Sequence, residues 1–263
     1  MDINGERLRT DLSGSYAAVD VVASTGSTNA DLRIAAEQGA ADRTVLIAEE
    51  QTAGVGRRAR QWRSPKGSGI YLSVLLRPRD VPFAGLGSLS VVAGLAVRDV
   101  ASRIGVDAVL KWPNDVLAGP DRGKCAGILS EAVAGDELSV VLGIGINVLP
   151  LGDDVPPGPG GLAPTSLAEQ GATTTDRTEI AALLLAALAE REVRWREAGG
   201  DLTKARLLPE YRRFCATIGQ EVKVLLPDGE VLAGRATDVD STGQLVVAGR
   251  TIFAGDVVHV RHR

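Results

Sequence analysis

The chain predicts an α+β domain followed by a small β-barrel, and two observations carry that expectation. Up to about residue 217, strand-length apolar runs are interspersed with segments of helical periodicity, and the runs Gly123 to Val133 and Leu138 to Val148 read as paired strands. From Ile218 the pattern changes to alternation: Val222, Val224 and Leu226 interleave with Glu221 and Lys223, with turn signals at Asp228-Gly229, Thr242-Gly243 and Ala248-Gly249. Four or five short strands in about 45 residues suit a barrel. A length of 263 residues accommodates one large domain with such an appendage, and is enough to bury a substantial core.

In order, residues 1–15 are polar and glycine-bearing and are expected to be mobile. Tyr16 to Ala23 reads as a strand and Ala30 to Glu37 as a helix ending at Gly39, with Thr28 and Asp31 forming a capping box. Thr44 to Ala48 is a buried strand, Ile70 to Leu76 another, and Leu86 to Ile104 a core helix closing at Gly105. Ala108 to Trp112 and Val116 to Ala118 flank Lys111-Trp112-Pro113-Asn114-Asp115, and Gly123 to Val133 pairs with Leu138 to Val148 through a turn at Gly135-Asp136. A proline- and glycine-rich surface loop, Leu149 to Pro164, precedes helices at about Asp176 to Glu197 and Leu202 to Phe214, with Trp195 read as a packing residue.

Charge and composition exclude several function classes. A net charge of −4 argues against a general nucleic-acid binder. Cys125 and Cys215 have no metal-ligand spacing and read as reduced thiols of a cytoplasmic protein. No apolar run is expected to reach the roughly 20 residues that span a bilayer. The two histidines, His259 and His262, sit at the extreme C-terminus, so chemistry on a buried histidine base is not expected.

Three stretches have no adequate packing explanation. Gln51-Thr-Ala-Gly-Val-Gly-Arg-Arg-Ala-Arg-Gln-Trp62 places three arginines within four residues on glycine hinges, in a loop between two strands. Glycines let backbone N–H groups approach an anion, and guanidinium groups match phosphate and carboxylate with paired hydrogen bonds. Its partial fit to a dinucleotide fingerprint fails, because that fingerprint opens a helix and this loop runs into Pro65. Ser24-Thr-Gly-Ser-Thr-Asn29 holds four hydroxyls and an amide in six residues, more than a helix cap requires. Gly143-Ile-Gly-Ile-Asn147 puts glycine inside a buried strand, which marks a close approach to the backbone. Gly119 to Cys125 looks like a phosphate-binding P-loop but is one residue short and lacks the terminal Ser or Thr.

Ser-Thr-Asn after the first strand, Gln-Thr-Ala-Gly-x-Gly-Arg-Arg-x-Arg-x-Trp, Lys-Trp-Pro-Asn-Asp, Gly-Lys-x-Ala-Gly-Ile-Leu and Gly-Ile-Gly-Ile-Asn occur in the order found in biotin protein ligases, which the chain resembles from about residue 20 onward. The resemblance implies a mixed sheet with helices packed on one side, as in class II aminoacyl-tRNA synthetases, over residues 16–217, and an SH3-like barrel over 218–263. It implies an ATP-dependent ligase that makes biotinyl-5′-AMP and passes biotin to a lysine of a biotin carboxyl carrier domain of a carboxylase, with Mg²⁺ on the phosphates. Ser27, Thr28, Asn29 and Gln51, with the backbone at Val55 and Gly56, would surround the ureido ring. Arg57 and Lys124 would meet the carboxylate and later the bridging phosphate, and Gly127, Gly143 and Gly145 would let the valeryl tail lie against the sheet. Arg58, Arg60, Trp62, Asn114 and Asn147 would contact nucleotide, Trp62 as a lid against tail or adenine, and Asp115 the metal. Lys111 is either catalytic or a neutraliser of Asp115.

Family analogy leaves the arginine loop open or disordered without ligand. Val55 replaces a family arginine and Ala59 a glycine. A lipoate or octanoate ligase is the nearest rival, and a biotin-sensing DNA-binding regulator a second. About twenty residues before the Ser-Thr-Asn motif are too few for a DNA-reading domain, so binding to DNA is not expected, and without a spanning apolar run neither is a membrane partner.

Overall fold

A computed structural model describes residues 2–63, 65–135, 137–152, 155–158, 161–227 and 229–260. The turn residues Asp136 and Asp228, and His262, lie outside these.

The core is a seven-stranded mixed sheet in the order β1-β2-β3-β7-β6-β5-β4, built from β1 (Ala18–Val22), β2 (Thr44–Ala48), β3 (Gly69–Leu76), β4 (Ala108–Lys111), β5 (Asp115–Ala118), β6 (Gly123–Val133) and β7 (Ser139–Asn147). β1 and β2 are parallel and every other neighbouring pair is antiparallel. β3 is buried along its whole length, which explains why, Ser73 apart, it reads as an apolar run rather than an alternating one. Its even-numbered side chains join the main core beneath α3 (Leu89–Arg103) and α4 (Arg177–Glu197). Trp195 is fully buried there and donates Nε1–H to Ser88 Oγ at 2.7 Å, as a packing residue should.

Helices do not keep to one side of this sheet. Leu32 and Ala36 of α2 (Thr28–Glu37) pack on Leu75 and Val141, on the face opposite α3. The reason is the alternation of β3: Tyr71, Ser73 and Leu75 form a second buried face, which needs its own cover. α2 covers only part of it, and the remainder is the floor of the cavity described below.

The N-terminal residues also differ from expectation. Gly5–Asp11 forms α1, capped by Asn4 Oδ1, which accepts the N–H of Arg7 at 3.0 Å. Leu8 and Leu12, four residues apart, are buried in the main core with Ile3. Leu8→Ala is expected to cost about 2–5 kcal/mol, the range for emptying a buried leucine site, measurable as a shift of the denaturant midpoint.

Other boundaries moved for local reasons. The first turn of the expected 86–104 helix is 3₁₀ (Phe83–Ser88). Together with α3 it makes a 21-residue segment long and apolar enough to cross a membrane, contrary to the expectation, and most of it is buried against sheet and α4. The expected helix at 202–214 is only α5 (Leu208–Phe214). α2 begins two residues early because Ser27, not Thr28, is its N-cap, and Asp31 bonds Thr25 rather than completing a capping box.

The C-terminal strands β8 (Glu221–Leu225), β9 (Val231–Val239), β10 (Leu245–Val247), β11 (Arg250–Ile252) and β12 (Asp256–His259) form an antiparallel sheet in the order β11-β10-β9-β8-β12. Among the described residues no pairing of the two edges closes it into a barrel. Trp112 joins the two sheets. Its Nε1–H donates to Gly243 O at 2.9 Å and its backbone N–H to Thr217 Oγ1 at 3.1 Å.

Candidate active site

The cavity begins as a row of glycines. Gly127 of β6 pairs with Gly145 of β7, Gly143 pairs with Ser73 of β3, and all lie on the sheet face that α2 leaves uncovered. The sheet surface is bare there, and other side chains move in. A Cβ added at Gly143 would sit 2.2 Å from Asn29 Oδ1, and one at Gly145 would sit 2.6 Å from the Trp62 indole. One added at Gly127 would lie 3.0 Å from the same ring. The close approach anticipated from glycine in a strand is thus made within the protein by Asn29 and Trp62.

At one end the N-terminus of α2 assembles a polar cluster. Gln51 Oε1 accepts the backbone N–H of Thr28 at 2.9 Å and lies 3.1 Å from Thr28 Oγ1. Ser73 Oγ, fully buried, lies 2.7 Å from Thr28 Oγ1 and 2.6 Å from Asn29 Oδ1. Asn29 Nδ2 donates to Glu131 Oε2 at 2.6 Å.

The other end is cationic. The tight turn between β4 and β5 brings Lys111 opposite Asp115, and β6 delivers Lys124 beside it. Asp115 takes Lys124 Nζ at 2.5 Å and Lys111 Nζ at 3.8 Å, and Lys111 also donates to Val257 O at 2.8 Å. Burial lowers the Lys111 pKa, and Asp115 opposes that shift. Lys124 Nζ lies 5.4 Å from the Trp62 ring centre, linking the cations to the glycine floor. The cavity measures about 670 Å³, and five cationic side chains face two carboxylates in its described lining. Cationic excess there, within a chain of net charge −4, is a local device for anions.

Two residues of this wall carry buried polar atoms without a protein partner. Trp62 Nε1 is an unused donor and Asn147 Oδ1 an unused acceptor, while Asn147 Nδ2 is held by Thr165 O at 2.9 Å. Such atoms are costly unless something binds them.

The arginine loop is neither open nor detached. Arg57 donates to Gly255 O at 3.1 Å, Arg58 to Leu225 O at 3.0 Å and Leu226 O at 3.2 Å, and Arg60 pairs with Asp256. Asp256 also lies 4.0 Å from Arg57 and 3.5 Å from Arg58. Burial lowers the pKa of Arg57, with Asp256 and Asp115 acting against it. Ala59 adopts φ 55°, a left-handed conformation that favours glycine and costs an alanine roughly 1–2 kcal/mol. The departure at Ala59 therefore strains the loop.

All the residues singled out from the sequence line this cavity except Arg58, whose guanidinium is spent on the carbonyls after β8. The Asp115 carboxylate is engaged by two ammonium groups, and no cluster of three His, Cys, Asp or Glu occurs among the described residues. The donor set does not fit a metal held by the protein alone. Sequence reasoning missed Ser73, Glu131 and Asp256. Ser73 was detectable as a lone polar residue in an otherwise apolar strand, whereas nothing local distinguishes the other two.

Residues 21–147 match the biotin/lipoate A/B protein ligase family, and residues 217–260 the biotin protein ligase C terminal domain. The chain is 46% identical to a biotin–[acetyl-CoA-carboxylase] ligase of Mycobacterium tuberculosis, over 97% of this chain and 94% of that one. It is 33% identical to the bifunctional ligase/repressor BirA of Escherichia coli, over 89% of this chain and 69% of that one. A biotin protein ligase from Aquifex aeolicus, solved with biotin and ATP, superposes with a TM-score of 0.76 at 26% identity, covering 94% of this chain and 100% of that structure. A glycine-floored cavity between a hydroxyl cluster and a cation cluster, with this degree of likeness along the whole chain, makes the protein a member of the biotin protein ligase family.

Proposed function

We propose that this chain is an ATP-dependent biotin protein ligase and that its cavity holds biotin and the nucleotide end to end. The observation that carries the reading is the continuity of the site. The β7 run from Gly143 to Asn147 leads from the hydroxyl cluster, past the Trp62-covered glycines, toward the lysines flanking Asp115. A cyclic urea offers one carbonyl and two N–H groups, which suit Ser27, Thr28, Asn29 and Gln51. An alkyl tail then lies along the bare strip at Gly127, Gly143 and Gly145, which requires Trp62 to shift from its present seat.

The tail delivers its carboxylate to Lys124 and Arg57. Two unit anions about 4 Å apart repel by roughly 4 kcal/mol at an effective dielectric of 20, so the carboxylate approaches the α-phosphate of MgATP only among cations. Attack forms the acyl–phosphate bond and expels pyrophosphate. Lys111, Lys124, Arg57 and Arg60 stabilise the charge, with Asn114 and Asn147 on the nucleotide. The loop over the cavity keeps the mixed anhydride from water. A carrier lysine amine then attacks the acyl carbon and AMP leaves. The acceptor is a biotin carboxyl carrier domain of a cytoplasmic carboxylase, and residues 218–263 help dock it.

Mass spectrometry of a mixture with biotin and MgATP should detect biotinyl-5′-AMP, and its absence would sink the reading. Lipoate lacks the urea, and each buried polar group left unpaired costs about 1–3 kcal/mol. Titration calorimetry should therefore give biotin an affinity at least about a hundredfold above that of lipoate.

A further inference from the structure

The polar cluster at the start of α2 has a direction, set by two residues outside the sequence motifs. Asn29 Nδ2 lies 2.6 Å from Glu131 Oε2 and 3.4 Å from Leu129 O. A carboxylate and a carbonyl only accept, so the amide nitrogen must point at them and Oδ1 must face Ser73. Glu131 is itself steadied by Arg33 Nη1 at 3.3 Å. An amide oxygen carries no hydrogen, so the 2.6 Å Ser73–Asn29 contact uses the one hydrogen on Ser73 Oγ. The 2.7 Å contact between Ser73 and Thr28 then needs the hydrogen of Thr28. The other neighbour of Thr28 Oγ1 is Gln51 Oε1, which the backbone N–H of Thr28 holds in place as an acceptor. Ser73, at 2.7 Å against 3.1 Å for Gln51, takes the Thr28 hydrogen, which is thus consumed inside the protein. Lone pairs are what Thr28 turns to the cavity.

We infer that Glu131 and Ser73 are positioning residues that fix the polarity of this chain, so that Thr28 accepts and the cavity selects a ligand presenting an N–H at that point. The inference rests on the biotin reading and adds to it the origin of discrimination against a ring of the same shape without that hydrogen. Neither residue needs to touch the ligand. Glu131→Gln preserves size but can donate as well as accept, which lets Asn29 turn over. Ser73→Ala removes the relay and leaves the Thr28 hydrogen only the longer contact to Gln51 Oε1 at 3.1 Å, from which a ligand oxygen can draw it.

The test compares biotin with the two cyclic-carbamate analogues in which either ring N–H is replaced by oxygen, titrated calorimetrically into wild type, Glu131→Gln and Ser73→Ala. Wild type should prefer biotin to at least one analogue by about a hundredfold, from a hydrogen bond exchanged for lone-pair repulsion. That ratio should fall about tenfold in each variant, with affinity for the analogue held or improved. A merely structural role would weaken both ligands alike, and an unchanged ratio in both variants would overturn the inference. So would a wild type that binds biotin and carbamate equally. Wild type that binds neither would overturn the biotin reading itself, and the inference with it.

Discussion

Lys124→Gln is expected to slow adenylate formation by about 10²–10³, the usual effect of removing one preorganised charge from a reacting centre, while biotin affinity falls far less. The expectation comes from where the ammonium group stands. It lies 2.5 Å from Asp115 and 5.4 Å from the Trp62 ring centre, where the glycine strip meets the cation cluster. A ligand lying along the strip puts its carboxylate there. Glutamine keeps a hydrogen bond to Asp115 but leaves one cation fewer for the charge that accumulates as carboxylate and triphosphate meet. Single-turnover kinetics should show the loss in the chemical step, with the calorimetric dissociation constant for biotin changed by less than about tenfold. A large loss of biotin affinity with an unaltered chemical step would place Lys124 in ground-state binding instead. Lys111→Gln should have the smaller effect, since Lys111 is more deeply buried and spends a hydrogen bond on Val257 O.

The contrast between these lysines illustrates what a linear reading can supply. Types and spacing identified the loop, the lysines and the glycines, because each is expensive or idle in a packed core, and the structure gathers all but Arg58 around one cavity. What each group touches was less legible. Gly143 and Gly145 were correctly seen as points of close approach, but that Asn29 and Trp62 make it depends on strand order, and β7 lies between β3 and β6 rather than at an edge. Strand order is decided by tertiary packing. The same holds for α2, whose place opposite α3 follows from two buried faces on β3, a strand whose apolar run, interrupted only at Ser73, conceals its alternation. The helix at Gly5–Asp11 was obscured by its polar composition, since only Leu8 and Leu12 anchor it. Asp256 had no local signal at all: it becomes notable only when a loop nearly two hundred residues earlier folds against it.

That contact supports the second large effect. Asp256→Lys is expected to speed escape of biotinyl-5′-AMP by about tenfold or more, with little change in the affinity for biotin. Asp256 is nearly buried, and Arg57, Arg58 and Arg60 all converge on its carboxylate. Two of the three arginine side chains are a third or more exposed, so each pair alone contributes modestly, about 0.2–1 kcal/mol. Together they hold the loop shut, and lysine replaces three attractions with three repulsions. The hydrogen bonds that the Arg57 and Arg58 guanidinium groups donate to the carbonyls of Gly255, Leu225 and Leu226 remain, but they are made by the same side chains and should loosen with them. Release measured on trapped adenylate should also accelerate in wild type as salt rises, because partly exposed pairs are screened over about 8–10 Å at ordinary ionic strength. Asp256→Glu should stay within a few fold of wild type, and Arg57→Gly should speed release in the same direction as lysine. Biotin affinity is spared because Thr28, Asn29, Ser73 and Gln51 hold one another without the C-terminal sheet. Unchanged release in both Asp256→Lys and Arg57→Gly would mean that the arginines do not close the site, and retention of the adenylate would then have to come from Trp62 and the floor beneath it.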